Sequence, residues 1–191
     1  MKIIKHLIIL VLLANVATLF AQPANDNQAS ATDISNLINS CSTDNAYYTL
    51  GAAADKTKPS CWPNGPSYNV WFKFTATSTK FISFSVKTGG NEGSIQHPFT
   101  ALFDASLTQL QCVSYYTQYG DLFISYYGLT QGQTYYISVD NHSGAMYQGT
   151  FKLCLSDKID YDSYVGAINV NSIMNNCSLD TAYTTFGASG D

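Results

Sequence analysis

The sequence predicts an all-β chain folded as a two-sheet antiparallel β-sandwich, jelly-roll-like, with about eight short strands. Three observations carry this. The composition is rich in Tyr, Thr, Ser, Gly and Phe and poor in helix formers: Glu92 is the single Glu and Arg is absent, a balance that favours strands. Apolar residues alternate with period two along Asn69–Thr77 and again along Lys80–Lys87, the pattern of strands with one buried face. Breaker-rich segments separate such runs at short, regular spacing. A closed barrel is the alternative arrangement.

The first element is a leader. Lys2 and Lys5 precede an apolar run from Leu7 to Leu13, and Val16–Phe20 leads to the small residue Ala21. A basic start, a short apolar centre and a small residue at the end are the parts of a secretory signal peptide. Asn15 interrupts a run already shorter than the about 20 apolar residues a spanning helix needs. Residues 1–21 are therefore read as a signal peptide cleaved after Ala21. The mature chain is expected outside the cell or on its outer surface, with no membrane span. Residues 22–39 read as an N-terminal linker, 40–156 as the β-sandwich module, 157–170 as an inter-repeat linker, and 171–191 as the start of a second copy.

Within 40–156 the strands follow in order. Ala46–Leu50 opens the series. Val70, Phe72 and Phe74 share one face and Trp71, Lys73 and Thr75 the other; Ile82, Phe84 and Val86 oppose Phe81, Ser83 and Ser85. Further strands are expected at Phe99–Phe103, Leu110–Tyr116, Leu122–Tyr127, Thr134–Asp140 and Thr150–Leu155. Turns lie at Gly89-Gly90-Asn91, Asp104-Ala105-Ser106, Gly128–Gly132 and Asn141–Gly144,.

Charge excludes one class of function. The chain has 9 basic and 13 acidic residues, a net charge of −4. Removing the two leader lysines takes it to −6. An acidic chain without the bidentate fork of Arg is not built to bind nucleic acid.

A repeat organises the chain. Cys41–Ala52 recurs as Cys177–Ala188, through Cys, Asp, Ala-Tyr and Gly-Ala, at an offset of 136 residues without a gap. Asp26, Ala31, Asn39 and Asp55 match Asp162, Ala167, Asn175 and Asp191 at the same offset. A period this long means a string of domains, not a solenoid. On this reading the chain is a fragment of a larger protein, and the other domains of that chain are its first partners.

Five cysteines in an exported chain imply disulfides and one odd thiol,. The four in the first copy allow three connectivities. Pairing between neighbours, Cys41–Cys61 and Cys112–Cys154, is expected, because the first bridge would staple the leading segment and the second would join two strands of the later half. Cys177 is expected free, its counterpart to Cys61 falling at position 197.

The sequence offers little chemistry. His97 and His142 stand in polar turns, with no G-x-S-x-G elbow and no C-x-x-C or H-E-x-x-H spacing for zinc,. No catalytic residue and no cofactor is expected, with calcium the one candidate: Asp26, Asp157, Asp160 and Asp162 gather hard oxygen ligands at the two ends of the module. Solvated connectors are the plainer reading of the same residues. Tyr116, Tyr127 and Tyr136 stand in pairs or runs of tyrosines, so one of each set points outward from a regular strand. Such rings can stack on a sugar or a protein partner, although cross-strand support of the sheet is the plainer role. Asn141-His142-Ser143 matches a glycosylation sequon by coincidence.

Asn69–Ala76 (NVWFKFTA), Ala101-Leu102-Phe103-Asp104, Leu110-Gln111-Cys112, Gly128–Asp140 (GLTQGQTYYISVD) and Gly149–Cys154 follow one another at a telling spacing. Together they resemble the bacterial pre-peptidase C-terminal type of β-sandwich, in the tandem form found in large exported proteins of gliding bacteria with type IX secretion. The resemblance covers about residues 40–156. It implies a module without catalysis of its own, acting in adhesion, in ligand or carbohydrate binding at cell-surface glycans or proteins, or as a spacer. The alternative it implies is an accessory domain of a secreted peptidase or glycosidase whose catalytic domain lies elsewhere.

Overall fold

The computed structural model describes residues 21–115, 118–158, 171 and 174–177. Strands β1 (Thr32–Asp33), β4 (Val70–Thr75), β6 (Pro98–Phe103), β7 (Gln109–Ser114) and β9 (Thr134–Asn141) form one sheet, in the order β1-β4-β9-β6-β7. Strands β3 (Tyr47–Tyr48), β5 (Phe81–Lys87), β8 (Leu122–Tyr127) and β10 (Thr150–Ser156) form the other, in the order β3-β10-β5-β8. The short β2 (Ser40–Cys41) runs beside β10, where the Ser42 amide donates to the Leu153 carbonyl at 2.8 Å. Among the described residues, the strand pairs within the two sheets are antiparallel except β1 with β4. The fold is the expected all-β sandwich, and each strand expected from alternation is present with its ends shifted by a few residues. Ala46–Leu50 shortens to Tyr47–Tyr48.

Alternation sets the core between the sheets. Phe72, Phe74, Leu102, Ile137 and Val139 from one sheet meet Ile82, Phe84, Val86, Phe151, Leu153 and Leu155 from the other, all buried. Phe72 meets Tyr47 and Phe151 edge-on at ring separations of 4.7 and 6.0 Å, the arrangement that brings ring edges to ring faces.

The opposite face of the five-stranded sheet is buried too. Trp71, Phe99, Ala101 and Phe103 point outward from it and are covered by Trp62 and Ala31. Trp62 lies 5.6 Å from Phe99, and its indole donates to the Thr100 carbonyl at 3.3 Å. The loop carrying Trp62 is held by two polar anchors. Asn69 accepts the Asp55 amide at 2.8 Å and donates to the Asp55 carbonyl and to Ser138 Oγ, each at 3.1 Å. Asp140 accepts the amides of Ser67 at 2.7 Å, Tyr68 at 2.9 Å and Asn141 at 2.7 Å. Gly65, at φ 87°, packs where a Cβ would stand 3.0 Å from the Asp140 carboxylate, and the Gly65–Pro66 peptide is cis.

Two expectations are corrected. Residues 22–39 are not a linker: this segment is the edge of the first sheet. Trp71 donates its amide to the Asn25 carbonyl at 2.8 Å, Ile34 donates to the Lys73 carbonyl at 2.8 Å, and Ile34 is 1% exposed. The free edge of β4 presents backbone N–H and C=O groups that need partners, and this segment supplies them,. The disulfides are also reassigned. They join Cys41 to Cys154 and Cys61 to Cys112, not Cys41 to Cys61 and Cys112 to Cys154. The reason is topological. Ile38 bridges Leu155 in parallel, which lays β2 along β10 and Cys41 beside Cys154. The Trp62 loop crosses the outer face to β7, where the Cys61 carbonyl accepts from Ser114 Oγ at 3.0 Å.

Candidate ligand-binding face

The outer face of the four-stranded sheet is built by the same alternation that fills the core. In β5 the residues opposite Ile82, Phe84 and Val86 are Phe81, Ser83, Ser85 and Lys87. Strand register then lays out rows across the sheet. Ser85 sits between Phe123 of β8 and Cys154 of β10, Ser83 between Ser125 and Ser156, and Phe81 faces Tyr127. The floor is thus serine hydroxyls, with two aromatic rings on the outermost strand. Phe123 is 59% exposed and Tyr127 is 53% exposed.

The opposite wall is β2, fastened over β10 by the Cys41–Cys154 bridge. Asn39 anchors its start. With φ at 65°, its side chain donates to Asp157 Oδ1 at 2.6 Å and accepts from Ser156 Oγ at 3.3 Å. Between the walls is a cleft of about 330 Å³, lined by Asn39, Ser83, Ser85, Phe123, Ser156 and Lys158 among others. Three strands at a spacing of about 4.8 Å make the floor roughly 10 Å wide.

Ion pairs flank the cleft without entering it. Lys87 meets Asp121 at 2.7 Å. Lys152 donates to Asp44 at 2.9 Å and to Glu92 at 3.3 Å; these hydrogen bonds, Asp44 first and then Glu92, raise its pKa above the usual lysine range. These groups tie β10 to the two loops beside it.

The residues singled out in the sequence scatter. Tyr127 is on this face. Tyr136 is half-buried against the Trp71 cluster on the other sheet, because its strand is central and its outer face is covered. Tyr116 lies outside the described residues. Asp26 is buried at the start of β4, where it accepts the Ala53 amide at 2.6 Å and the Gln22 side-chain amide. Asp157 stands at the other end, against Asn39. Asp160 and Asp162 lie outside the described residues. Among the described residues, no three His, Cys, Asp or Glu are close enough to share a metal ion. His97 and His142 pack with Tyr147 at ring separations of 4.8 and 5.6 Å. Asn141 of the sequon is fully buried, which removes it as an attachment point. Cys177 is exposed and free.

Phe123 is not among the aromatic residues singled out from the sequence, which are all tyrosines. The signal was present: in Leu122–Tyr127 the core residues Leu122 and Ile124 alternate with Phe123, Ser125 and Tyr127.

No protein-family model matches the chain, and no curated protein matches it. Among solved structures, the chain is similar to the pre-peptidase C-terminal domain of a collagenase from Bacillus anthracis. That match has 15% identity and a TM-score of 0.40, over 65% of this chain and 93% of that domain. The hydrogen-bonded strand orders by themselves define the two sheets of the sandwich.

Proposed function

We propose that the chain is a non-catalytic, extracellular β-sandwich module of a multi-domain exported protein, serving adhesion or the presentation of neighbouring domains. One observation carries this reading. Its open cleft is lined by hydroxyls, an aromatic ring and a disulfide wall, a surface suited to holding a ligand and not to acid–base or nucleophilic chemistry,. Two disulfides suit an oxidising compartment,. Among the described residues no helix is long and apolar enough to cross a membrane. The groups a hydrolase would use have structural partners here: Asp140 holds three backbone amides, and four cysteines are bridged.

The test is direct. The purified chain is incubated with casein and with soluble polysaccharides, and product ends are counted. No turnover is expected. Turnover abolished by changing a single residue would overturn the module reading.

A further inference from the structure

We propose that the outer face of the four-stranded sheet binds a neutral glycan chain, laid along the cleft between Phe123 and the Cys41–Cys154 bridge. This rests on the reading of the chain as a binding module and names the ligand class of that face.

A pyranose ring has an apolar C–H face and a rim of hydroxyls. Phe123 and Tyr127 present two largely exposed rings on one strand and one face. Four residues of strand separate them, about 13 Å, enough for more than one sugar ring. Large rings left in water gain free energy when a matching apolar face covers them. Beside the rings, Ser85 offers a hydroxyl that can donate and accept, while the Ser83 and Ser156 hydroxyls, which donate to the Ser156 carbonyl at 3.4 Å and to Asn39 Oδ1 at 3.3 Å, offer acceptor oxygens,, a polar lining that matches a hydroxyl rim better than an apolar peptide face.

Charge selects among polymers. Among the described residues no carboxylate lines the cleft and Lys158 is the one ionic group that does, with Asp157 held beside it by the Asn39 side chain. Outside the cleft Lys87 balances Asp121, while Lys152 holds both Asp44 and Glu92 and leaves that triad one negative charge. A basic peptide would find no acid among the described residues that line the cleft, and an anionic polymer would meet a chain of net charge −4,. An uncharged polymer fits both facts. The site is also held in advance of binding: sheet hydrogen bonds fix the floor and the disulfide fixes one wall, which limits the ordering cost of association.

The test is affinity electrophoresis of the purified chain in gels containing laminarin, xyloglucan or galactomannan, with alginate and casein gels alongside. Retardation is expected in at least one neutral glycan. Phe123→Ala should weaken it about tenfold, the worth of one aromatic contact, and Ser85→Glu should weaken it as strongly. Tyr115→Ala, an exposed ring off this face, should retain the retardation, and all variants should keep the parent melting temperature. Retardation in none of the neutral glycans, in alginate alone or in casein alone overturns the proposal. So does an unaltered response of Phe123→Ala. Failure here is separable from failure of the module reading: a chain that neither binds nor shortens these glycans loses the groove and remains a module, whereas one that shortens them is an enzyme.

Discussion

Asp140 is the residue with the sharpest physical signature. Burial pushes its carboxyl from 3.8 up to about 6, against the opposing pull of the amides of Ser67, Asn141 and Tyr68. The native state therefore holds a proton that the unfolded chain has already released. Between pH 4 and pH 6 the native state binds more protons, so this group's contribution to stability is full at the acid end and is lost as pH rises through about 6,. Other carboxylates act oppositely. Asp33, lowered by its hydrogen bonds to Ser35, adds stability that is lost on acidification. The Asp140 contribution is isolated by difference: urea midpoints of the parent minus those of Asp140→Asn should decline from pH 4 to 6 and level off above. A flat difference would remove the assignment. Gly149 is a second single-residue constraint. A Cβ there would overlap the backbone of Ser94 and Ile95, where Ile95 donates to the Thr150 carbonyl at 3.0 Å. Gly149→Ala should cost about 1–3 kcal/mol, as overpacking does, read from denaturant unfolding.

At the scale of elements, β10 joins the parts of the fold. It pairs with β3 and β5, carries the Cys154 end of a bridge and closes against β2. The Cys41–Cys154 bridge spans 113 residues and Cys61–Cys112 spans 51. Chain entropy makes the first worth nearly 5 kcal/mol and the second about 4 kcal/mol. Serine replacement of the Cys41–Cys154 pair should therefore lower the unfolding free energy more than replacement of the Cys61–Cys112 pair. Either loss is large for a domain whose total is about 5–15 kcal/mol. The reverse order in urea titrations would show that residual structure or strain, not loop closure, dominates. An unreduced digest should release linked peptides of Cys41 with Cys154 and of Cys61 with Cys112.

At the scale of the whole molecule, the repeat has a structural trace. Asn39 and Asn175 both adopt the left-handed conformation, at φ 65° and 64°. Ile38 donates to the Ser35 carbonyl at 3.3 Å, and its counterpart Met174 donates to the Asn171 carbonyl at 3.3 Å. The same backbone hydrogen bond and the same left-handed Asn therefore precede Cys41 and Cys177. In the first copy that stretch passes the chain from one sheet to the other, and the bridge to Cys154 follows. Cys177 has the same approach and stands exposed as a free thiol. A thiol reagent should titrate one group per native chain without reductant, and all five after reduction in denaturant. Zero native thiols would show that Cys177 pairs after all.

Strand positions, the two faces of Asn69–Thr77 and Lys80–Lys87, and the 136-residue repeat were legible without coordinates. They are local or periodic: alternation declares which side chains meet the core, and a repeat declares itself by identity. Phe123 was equally legible by alternation, though its place beside a serine floor was not. Whatever depended on distant partners was decided by tertiary structure alone. Residues 22–39 became a sheet edge because β4 needed a neighbour. Tyr136 was covered because a loop containing Trp62 returned over its sheet. Cys41 found Cys154 because a parallel bridge from Ile38 to Leu155 set the two strands side by side. Sequence proximity of cysteines carries no information on such pairing, since strand order in a sandwich places residues more than a hundred positions apart within bonding reach.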